Sequence, residues 1–331
     1  FEVDKNDIQG IFPFAKNELN FSQYDSLENT IEVVPTIYIR NEVFFLTLIL
    51  IPMLGSAKEF PSIADKSINV DGVKIAYKDE GNRQVILCLH ALGHSSKDFL
   101  SLYKLPLENF RIIAIDFPGQ GQSSASEIAA SSNYYFNITN KFIQLLGLKN
   151  IILIGNSIGG AVAIRLANNN PNIKLLSLSN PAGLDKRGFI APFFLNYMVR
   201  FFEKGVKKES TFKRKFQKYY EKVLLTDSAS SRRSEIINDA YPLAPLLVQG
   251  WSSFKQGDED LRPLIKNINC PVLFTWAMKD GFVRFSRNKQ AIKLFKNYTF
   301  IKYPIGHTPY IETPERFYND LLYFIKNKYQ L

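Results

Sequence analysis

Short apolar runs alternate along the chain with longer segments in which apolar residues recur at helical spacing. Six of these runs are predicted as strands, at residues 73–77, 85–89, 112–115, 151–154, 175–178 and 272–276. Several are unbroken stretches of Val, Ile and Leu, which is typical of strands buried on both faces. Helices are predicted at 134–146, 157–168, 287–295 and 314–329. The alternation therefore predicts an α/β fold, with a mostly parallel sheet between two layers of helices.

The segment from about residue 182 to residue 262 interrupts this alternation. It has helical patterning and many aromatic and basic residues, and it stands between two predicted strands. Because open α/β sheets bind ligands at the carboxyl ends of their strands, we expect this segment to form a helical cap over that edge. The predicted organisation is an N-terminal extension over residues 1–60 and one α/β domain over 61–331 that carries the cap.

The net charge is concentrated in the same region. The 331 residues carry 41 Lys and Arg against 31 Asp and Glu, a net charge of +10. Residues 185–233 hold thirteen of the basic side chains and five of the acidic ones, so +8 of the net charge lies there. We predict amphipathic cap helices with a solvated basic face. The alternatives are peripheral contact of the basic cap with an anionic membrane and guidance of an acidic substrate. No recognition motif supports nucleic-acid binding.

An uncharged apolar segment runs from Val43 to Leu54. It is too short for a membrane-spanning helix, which needs about 20 residues, and it has the length of the apolar part of a secretory signal. Arg40 precedes it, and Gly55, Ser56 and Ala57 follow it. A signal-like segment over 43–57 would imply export to the periplasm or outside the cell, with a mature chain from about residue 58. A buried element, a membrane-associated anchor and a cytoplasmic location remain the alternatives.

The sequence Gly155-Asn156-Ser157-Ile158-Gly159-Gly160 lies between a predicted strand and a predicted helix. A G-x-S-x-G motif in this context is typical of a nucleophile elbow, in which a strained turn exposes the serine hydroxyl. The following helix directs N–H groups towards negative charge that develops near the serine. Ser157 is therefore the predicted nucleophile. A tight turn in a dinucleotide-binding unit is the alternative, but it would require G-x-G-x-x-G.

Two further residues complete a candidate catalytic triad. His307 lies in a loop between Gly306 and Pro309 and is the predicted base. Asp280 follows the strand at 272–276 by a few residues, so we expect its carboxylate at the carboxyl edge of the sheet, where it would orient the base. The pair Asp280-Gly281 is also compatible with a solvated turn. The chain order Ser157, Asp280, His307 favours the catalytic interpretation.

The backbone N–H groups of Leu92 and Ile158 are the predicted oxyanion hole. Ile158 follows the nucleophile, and Leu92 lies in the loop that follows the strand at 85–89. In that loop His90 is expected to be structural, whereas His94 either lines the entrance of the site or faces solvent. The two cysteines and three histidines show neither C-x-x-C nor H-E-x-x-H spacing, so no metal site and no cofactor are expected.

Taken together, these motifs resemble the α/β-hydrolase superfamily over residues 68–331. The resemblance is carried by His90-Ala-Leu-Gly93, Asp116-Phe-Pro-Gly-Gln-Gly-Gln-Ser123, the elbow at Ser157, the Asp280 segment and Gly306-His307-Thr-Pro309. It implies an eight-stranded sheet with a cap between the sixth and seventh strands. It also implies a serine hydrolase that cleaves a small carboxylic ester, or a related acyl bond, through an acyl-enzyme. Ala91 stands where the loop usually has glycine, and a positive φ there would strain an alanine.

Two other functions are compatible with the same motifs. Some capped proteins with a similar G-N-S-x-G-G elbow hydrolyse a carbon–carbon bond in a diketone-like substrate. A ligand-binding or membrane-associated protein without catalysis is the third possibility. Serine at the nucleophile position disfavours dehalogenation and epoxide opening, since the members that perform these reactions use aspartate.

Overall fold

The computed structural model describes residues 62–105, 108–185, 191–256 and 259–329. The signal-like segment at 43–57 and the rest of the N-terminal extension lie outside the described residues. Within the ranges that are described, no helix combines the length and the apolar character needed to cross a bilayer.

Eight strands form one sheet in the described part of the chain. They are β1 Lys66–Val70, β2 Val73–Gly81, β3 Gln84–Leu89, β4 Phe110–Ile115, β5 Ile151–Asn156, β6 Ile173–Ser179, β7 Val272–Ala277 and β8 Tyr298–Tyr303. Their spatial order is β1-β2-β4-β3-β5-β6-β7-β8. The pairs β1–β2 and β2–β4 are antiparallel and the other pairs are parallel. The predicted mostly parallel, eight-stranded sheet is confirmed, and each of the six predicted runs lies within one of its strands.

The described residues also form the helices of two layers and of an insertion. In chain order these are α1 Ser132–Leu145, α2 Ile158–Asn169, α3 Ala191–Val206, α4 Phe212–Val223, α5 Ser230–Asn238, α6 Ala240–Ser253, α7 Phe285–Ile292, α8 Pro309–Glu312 and α9 Pro314–Tyr329. Pro314 is the first residue of α9, as predicted. Short 3₁₀ segments lie at Ser96–Lys104, Asp227–Ala229 and Arg262–Asn267.

Strand β3 shows how the sheet separates two aliphatic cores. Successive side chains of a strand point to opposite faces. Leu87 and Leu89 belong to the core that also contains residues of α1, α2 and α7. Ile86 and Cys88 belong to the core on the other face, which contains residues of α9 and of the 3₁₀ segment Ser96–Lys104. Burial on both faces explains why this strand reads as an unbroken apolar run in the sequence.

Helices α3 to α6 connect β6 to β7 and are called the helical insertion below. Their own core combines aliphatic residues with a group of aromatic ones, Phe202, Phe212, Phe216 and Tyr220, each at most 2% exposed. Three of these residues lie on α4 at spacings of four, so α4 buries one face and exposes the basic residues between them. Leu92, from the loop after β3, packs against this core.

Candidate active site

Ser157 occupies a sharp turn between β5 and α2. Its backbone has φ 55° and ψ −118°, a conformation that L-residues rarely adopt. The turn is held from both sides, because the Ser157 N–H donates to the Ser179 carbonyl at 3.2 Å and the Ser157 carbonyl accepts from Ala182 N–H at 2.9 Å. A Cβ at Gly155 would lie 2.6 Å from the Gly159 carbonyl oxygen, so the close approach of strand and helix requires glycine there. The side chain of Ser157 lines a pocket at this turn.

Asp280 and His307 form a buried pair at the carboxyl edge of the sheet. Asp280 follows β7, His307 follows β8, and they are 5% and 7% exposed. His307 Nδ1 lies 2.6 Å from Asp280 Oδ2. The other carboxylate oxygen of Asp280 accepts the N–H groups of Phe282 at 2.7 Å and Val283 at 3.0 Å. The Asp280 carboxylate therefore lies in a built hydrogen-bond site and not in a solvated turn.

Asp280 and His307 each shift the pKa of the other towards the charged form, which strengthens their interaction. Burial alone would raise the pKa of Asp280, but His307 and the two N–H donors outweigh burial and hold this pKa below its ordinary value. Burial would lower the pKa of His307, but the charge and hydrogen bond of Asp280 raise it above its ordinary value of 6.5. A neutral imidazole bonded in this way carries its proton on Nδ1 and leaves Nε2 able to accept one.

Asn180 was not among the residues predicted from the sequence, and it supports Asp280 from β6. Its side-chain amide donates to Asp280 Oδ2 at 2.8 Å and to the Ala277 carbonyl at 3.1 Å. Its amide oxygen accepts the Ala277 N–H at 2.7 Å. An Asn-Pro pair after a strand is typical of an ordinary loop. Only its place at the end of β6, on the same sheet edge as Asp280, could have indicated this role.

Glu312 is a second residue that the sequence analysis missed. It is 2% exposed, and its carboxylate accepts the N–H groups of Gly306 at 3.1 Å, His307 at 2.9 Å and Thr308 at 3.1 Å. The same carboxylate accepts the N–H of Leu225 at 2.8 Å, just after α4. One buried charge thus fixes the loop that carries His307 and also binds the helical insertion.

The loop after β3 places Leu92 beside the same pocket. His90 is structural, because its Nδ1 lies 2.7 Å from the Ala91 carbonyl and its Nε2 accepts the Phe117 N–H at 3.0 Å. Burial lowers the pKa of His90 to about 4, so this ring is neutral near pH 7. The positive φ in this loop belongs to Gly93, at 79°, and not to Ala91. Alanine at position 91 is therefore unstrained, and the strain considered for it is absent.

The two predicted oxyanion donors come from the residue after Ser157 and from a loop that lines the same pocket. Ile158 is the first residue of α2, where backbone N–H groups have no partner within the helix. Among the hydrogen bonds of the described residues, neither the Ile158 N–H nor the Leu92 N–H has an acceptor. The same set contains no bond between the Ser157 hydroxyl and the His307 ring, a contact that commonly tightens only when substrate binds.

The pocket above Ser157 has a volume of about 170 Å³. Ser157, His307 and Leu92 line it from the sheet edge. Its other walls are mainly apolar and come largely from the helical insertion, with Phe194, Leu195, Tyr219, Tyr220, Leu247 and Trp251. Asp185 and Arg287, which are 3.6 Å apart, add charged groups to the lining. The arrangement suits a substrate with an apolar portion next to a reactive polar bond.

His94 also lines this pocket and is 3% exposed, which settles the question that the sequence left open. Its Nδ1 lies 2.7 Å from Asp98 Oδ2, and Asp98 Oδ1 accepts from Arg232 Nε at 2.8 Å. Burial would raise the pKa of Asp98, but His94 and Arg232 outweigh burial and lower it. Arg232 belongs to α5, so a buried ion pair joins the sheet domain to the helical insertion.

This geometry is accompanied by clear similarity to known proteins. The sequence model of the alpha/beta hydrolase fold matches residues 84–314, which is more than half of the chain, and the chain belongs to that family. A Bacillus subtilis (strain 168) protein named uncharacterized hydrolase YugF is 25% identical over 279 residues, covering 79% of this chain and 97% of its own. The family and its relatives identify the chain as a hydrolase and confirm the predicted fold class.

One further relative and one solved structure of similar fold carry the name esterase. The bifunctional esterase/perhydrolase DCH of Acinetobacter calcoaceticus is 26% identical over 289 residues, covering 78% of this chain and 98% of its own. The solved structure of an esterase from Exiguobacterium antarcticum superposes with a TM-score of 0.67 at 22% identity, covering 78% of this chain and 97% of that one. The structural likeness extends over nearly all of that esterase.

Proposed function

We propose that the protein is a serine hydrolase that cleaves a carboxylic ester through an acyl-enzyme. Ser157 is the nucleophile, His307 the general base and Asp280 the acid that orients it. The observation that carries this proposal is the buried 2.6 Å pair of His307 and Asp280 beside the pocket that contains the strained Ser157 turn. The similarity to an esterase/perhydrolase over 78% of the chain supports an ester as the substrate class.

In the first half of the reaction, His307 Nε2 takes the proton of the Ser157 hydroxyl while Oγ attacks the ester carbonyl carbon. The carbonyl oxygen becomes negatively charged and is stabilised by the N–H groups of Leu92 and Ile158. Asp280 stabilises the imidazolium that forms, with its own carboxylate held by Asn180. The imidazolium then gives its proton to the departing alkoxide, and the acyl group remains on Ser157.

In the second half, a water molecule attacks the acyl carbonyl while His307 Nε2 removes its proton. The same two N–H groups stabilise the second oxyanion, and the carboxylic acid leaves as Ser157 regains its proton. His307 must be neutral at the start of each half. Because Asp280 raises the pKa of His307, we expect activity to rise with pH through a midpoint above 6.5.

The proposal is tested with a fluorophosphonate probe and a series of p-nitrophenyl esters of increasing acyl length, on the wild type and on Ser157→Ala. We expect the probe to label the wild type and not the variant. Turnover of the variant should fall by a factor on the order of 10⁶, as in other serine hydrolases without their nucleophile. Ser123→Ala is the matched control, because Ser123 is a buried serine of the domain outside the pocket.

If the wild type were not labelled and its turnover were no higher than that of Ser157→Ala, the proposed hydrolase activity would be rejected. A non-catalytic ligand-binding role would then be favoured. Equal turnover of Ser157→Ala and Ser123→Ala would reject Ser157 as the nucleophile. Circular dichroism spectra and unfolding curves of the variants show whether lost activity reflects lost folding.

A further inference from the structure

Helix α4 presents a mainly basic face to solvent, on which Glu221 is the acidic residue. Phe212, Phe216 and Tyr220 are buried, and the positions between them are exposed. The exposed positions carry five cationic side chains, Lys213, Arg214, Lys215, Lys218 and Lys222. An amphipathic helix of this kind is typical of proteins that bind at the surface of an anionic bilayer.

Helix α3 adds exposed aromatic residues to the same region. Phe193 and Tyr197 are each 66% exposed, and they lie one turn apart on the helix. Arg200 continues this stripe one turn further on and is also exposed. The ring of Phe201 contacts those of Phe212 and Tyr219, so α3 and α4 meet at this residue. Exposed aromatic rings beside cations are the combination that suits the headgroup region of a bilayer.

The positive charge of these two helices is barely neutralised by the protein. Residues 191–223 hold nine Lys and Arg against three Asp and Glu. Among the ion pairs of the described residues, Lys204 is the one cation of this group with an acidic partner, Glu209 at 3.9 Å. A net charge of this density attracts anionic lipid. The attraction falls off within a Debye length, so its strength depends on the salt concentration.

We propose that the outer face of α3 and α4 is a docking surface for an anionic lipid bilayer. The cations contact the lipid headgroups, and Phe193 and Tyr197 enter the interfacial region. Phe194 of α3 and Tyr219 and Tyr220 of α4 also line the pocket above Ser157. Docking in this orientation places the helical wall of the pocket next to the lipid.

The test is sedimentation of the full chain with vesicles of phosphatidylcholine alone and of phosphatidylcholine mixed with phosphatidylglycerol, at low and high salt. The neutral vesicles measure any binding by other apolar parts of the chain, including residues 43–54. We expect stronger binding to the anionic vesicles, and a gain over neutral vesicles that shrinks as salt is raised.

The triple variant Lys215→Gln, Lys218→Gln, Lys222→Gln tests whether α4 supplies this binding. Each lost cation should weaken binding about fivefold, so the triple variant should bind anionic vesicles about 100-fold more weakly. The matched control is Lys293→Gln, Lys326→Gln, Lys328→Gln, which removes the same charge from exposed positions at the ends of α7 and α9. The control should bind nearly as the wild type does, and both variants should hydrolyse a soluble ester at the wild-type rate.

A third variant, Phe193→Ser with Tyr197→Ser, should reduce the binding to anionic vesicles that persists at high salt. Equal binding to neutral and anionic vesicles would overturn the proposal, as would equal losses in the α4 variant and its control. Stronger binding to a soluble polyanion such as heparin than to the anionic vesicles would also overturn it, and would assign the basic face to a polymer.

Discussion

The sheet domain and the helical insertion are built on different packing chemistry. The strands β3 to β7 bury mainly Val, Ile and Leu on both faces, whereas α4 of the insertion buries Phe and Tyr on one face and leaves Lys and Arg exposed on the other. Ser157, Asp280 and His307 all come from the ends of strands. Most of the apolar pocket wall comes from the insertion. The candidate reacting groups and most of the pocket wall beside them therefore belong to differently packed regions.

The two regions are joined by a few buried polar contacts. Arg232 of α5 pairs with Asp98, and Glu312 binds both the His307 loop and the segment after α4. A buried charge that loses its partner costs much more than an exposed pair does. We call these buried contacts of Arg232 and Glu312 the joint. Changes at the sheet edge should therefore alter the rate of the reaction, and changes at the joint should alter stability. Changes at the pocket wall should alter substrate preference.

The largest effect is expected at the sheet edge. In the wild type, the Asp280 charge holds the His307 ring and raises the pKa of that ring. Asp280→Asn removes this charge, so kcat should fall by about 10⁴-fold, as it does in comparable triads. The rising limb of the residual pH profile should also move to lower pH. A profile of kcat/KM against pH, measured with a short p-nitrophenyl ester, checks both expectations.

Asp185→Asn is the matched control, because Asp185 is an acid that lines the same pocket but lies near Arg287. Its kcat should stay within tenfold of the wild type. If Asp185→Asn lost as much activity as Asp280→Asn, the separation of reacting groups from pocket wall would be wrong.

An intermediate effect is expected at the joint. Arg232→Met leaves the buried Asp98 carboxylate without its cation, and the free energy of unfolding should fall by about 3–5 kcal/mol. Asp98 has a depressed pKa, so its contribution to stability is present above its ordinary pKa and is lost as pH falls. The wild type should therefore lose stability in acid more steeply than Arg232→Met does. Urea unfolding at pH 7 and at acidic pH measures the difference.

Lys141→Ala provides the comparison for an exposed pair, since Lys141 and Asp71 are each about half exposed. Its cost should be less than about 1 kcal/mol. If Lys141→Ala and Arg232→Met lowered the free energy of unfolding by similar amounts, the joint would not depend on a buried charge.

The smallest effect is expected at the pocket wall. Phe194→Ala enlarges the apolar part of the pocket, so the preferred acyl chain should become longer, with a change in relative kcat/KM of about tenfold between long and short esters. The pH profile should not change, because the His307 and Asp280 pair is untouched. Phe193→Ala, at the exposed neighbouring position, should leave the acyl-length profile as it is. If the two variants shifted the acyl-length profile equally, the insertion would not set the preferred acyl length through its pocket residues.

The interior of the sheet was predictable because burial on both faces leaves an apolar run in the sequence. Strands β1 and β8 were not among the predicted strands, since they lie at the edges of the sheet and carry exposed or half-exposed residues at most positions. In the sheet, β4 lies between β2 and β3, so the spatial order departs from the chain order. This order depends on pairing between strands that are distant in the sequence, and local sequence patterns do not indicate it.

The positions of Ser157, Asp280 and His307 were predictable because each has a local motif or stands at a strand end. Asn180 and Glu312 have no such signal, because their roles depend on which atoms lie opposite them in the fold. Glu312 accepts N–H groups from residues five or six positions before it and from Leu225, 87 positions away. The burial of His94 likewise depends on Asp98 and on Arg232, which comes from a distant helix.

The backbone of Ser157 is held in a conformation that the residue would not adopt by itself. Such strain costs about 1–3 kcal/mol, a sizeable share of the roughly 5–15 kcal/mol by which a folded domain is stable. The well-packed aliphatic sheet and the hydrogen bonds to Ser179 and Ala182 supply the energy that maintains it. Part of the folding energy of the sheet domain is thus used to hold the side chain of Ser157 at the pocket, so a relaxed turn and an accessible hydroxyl are in direct competition at this residue.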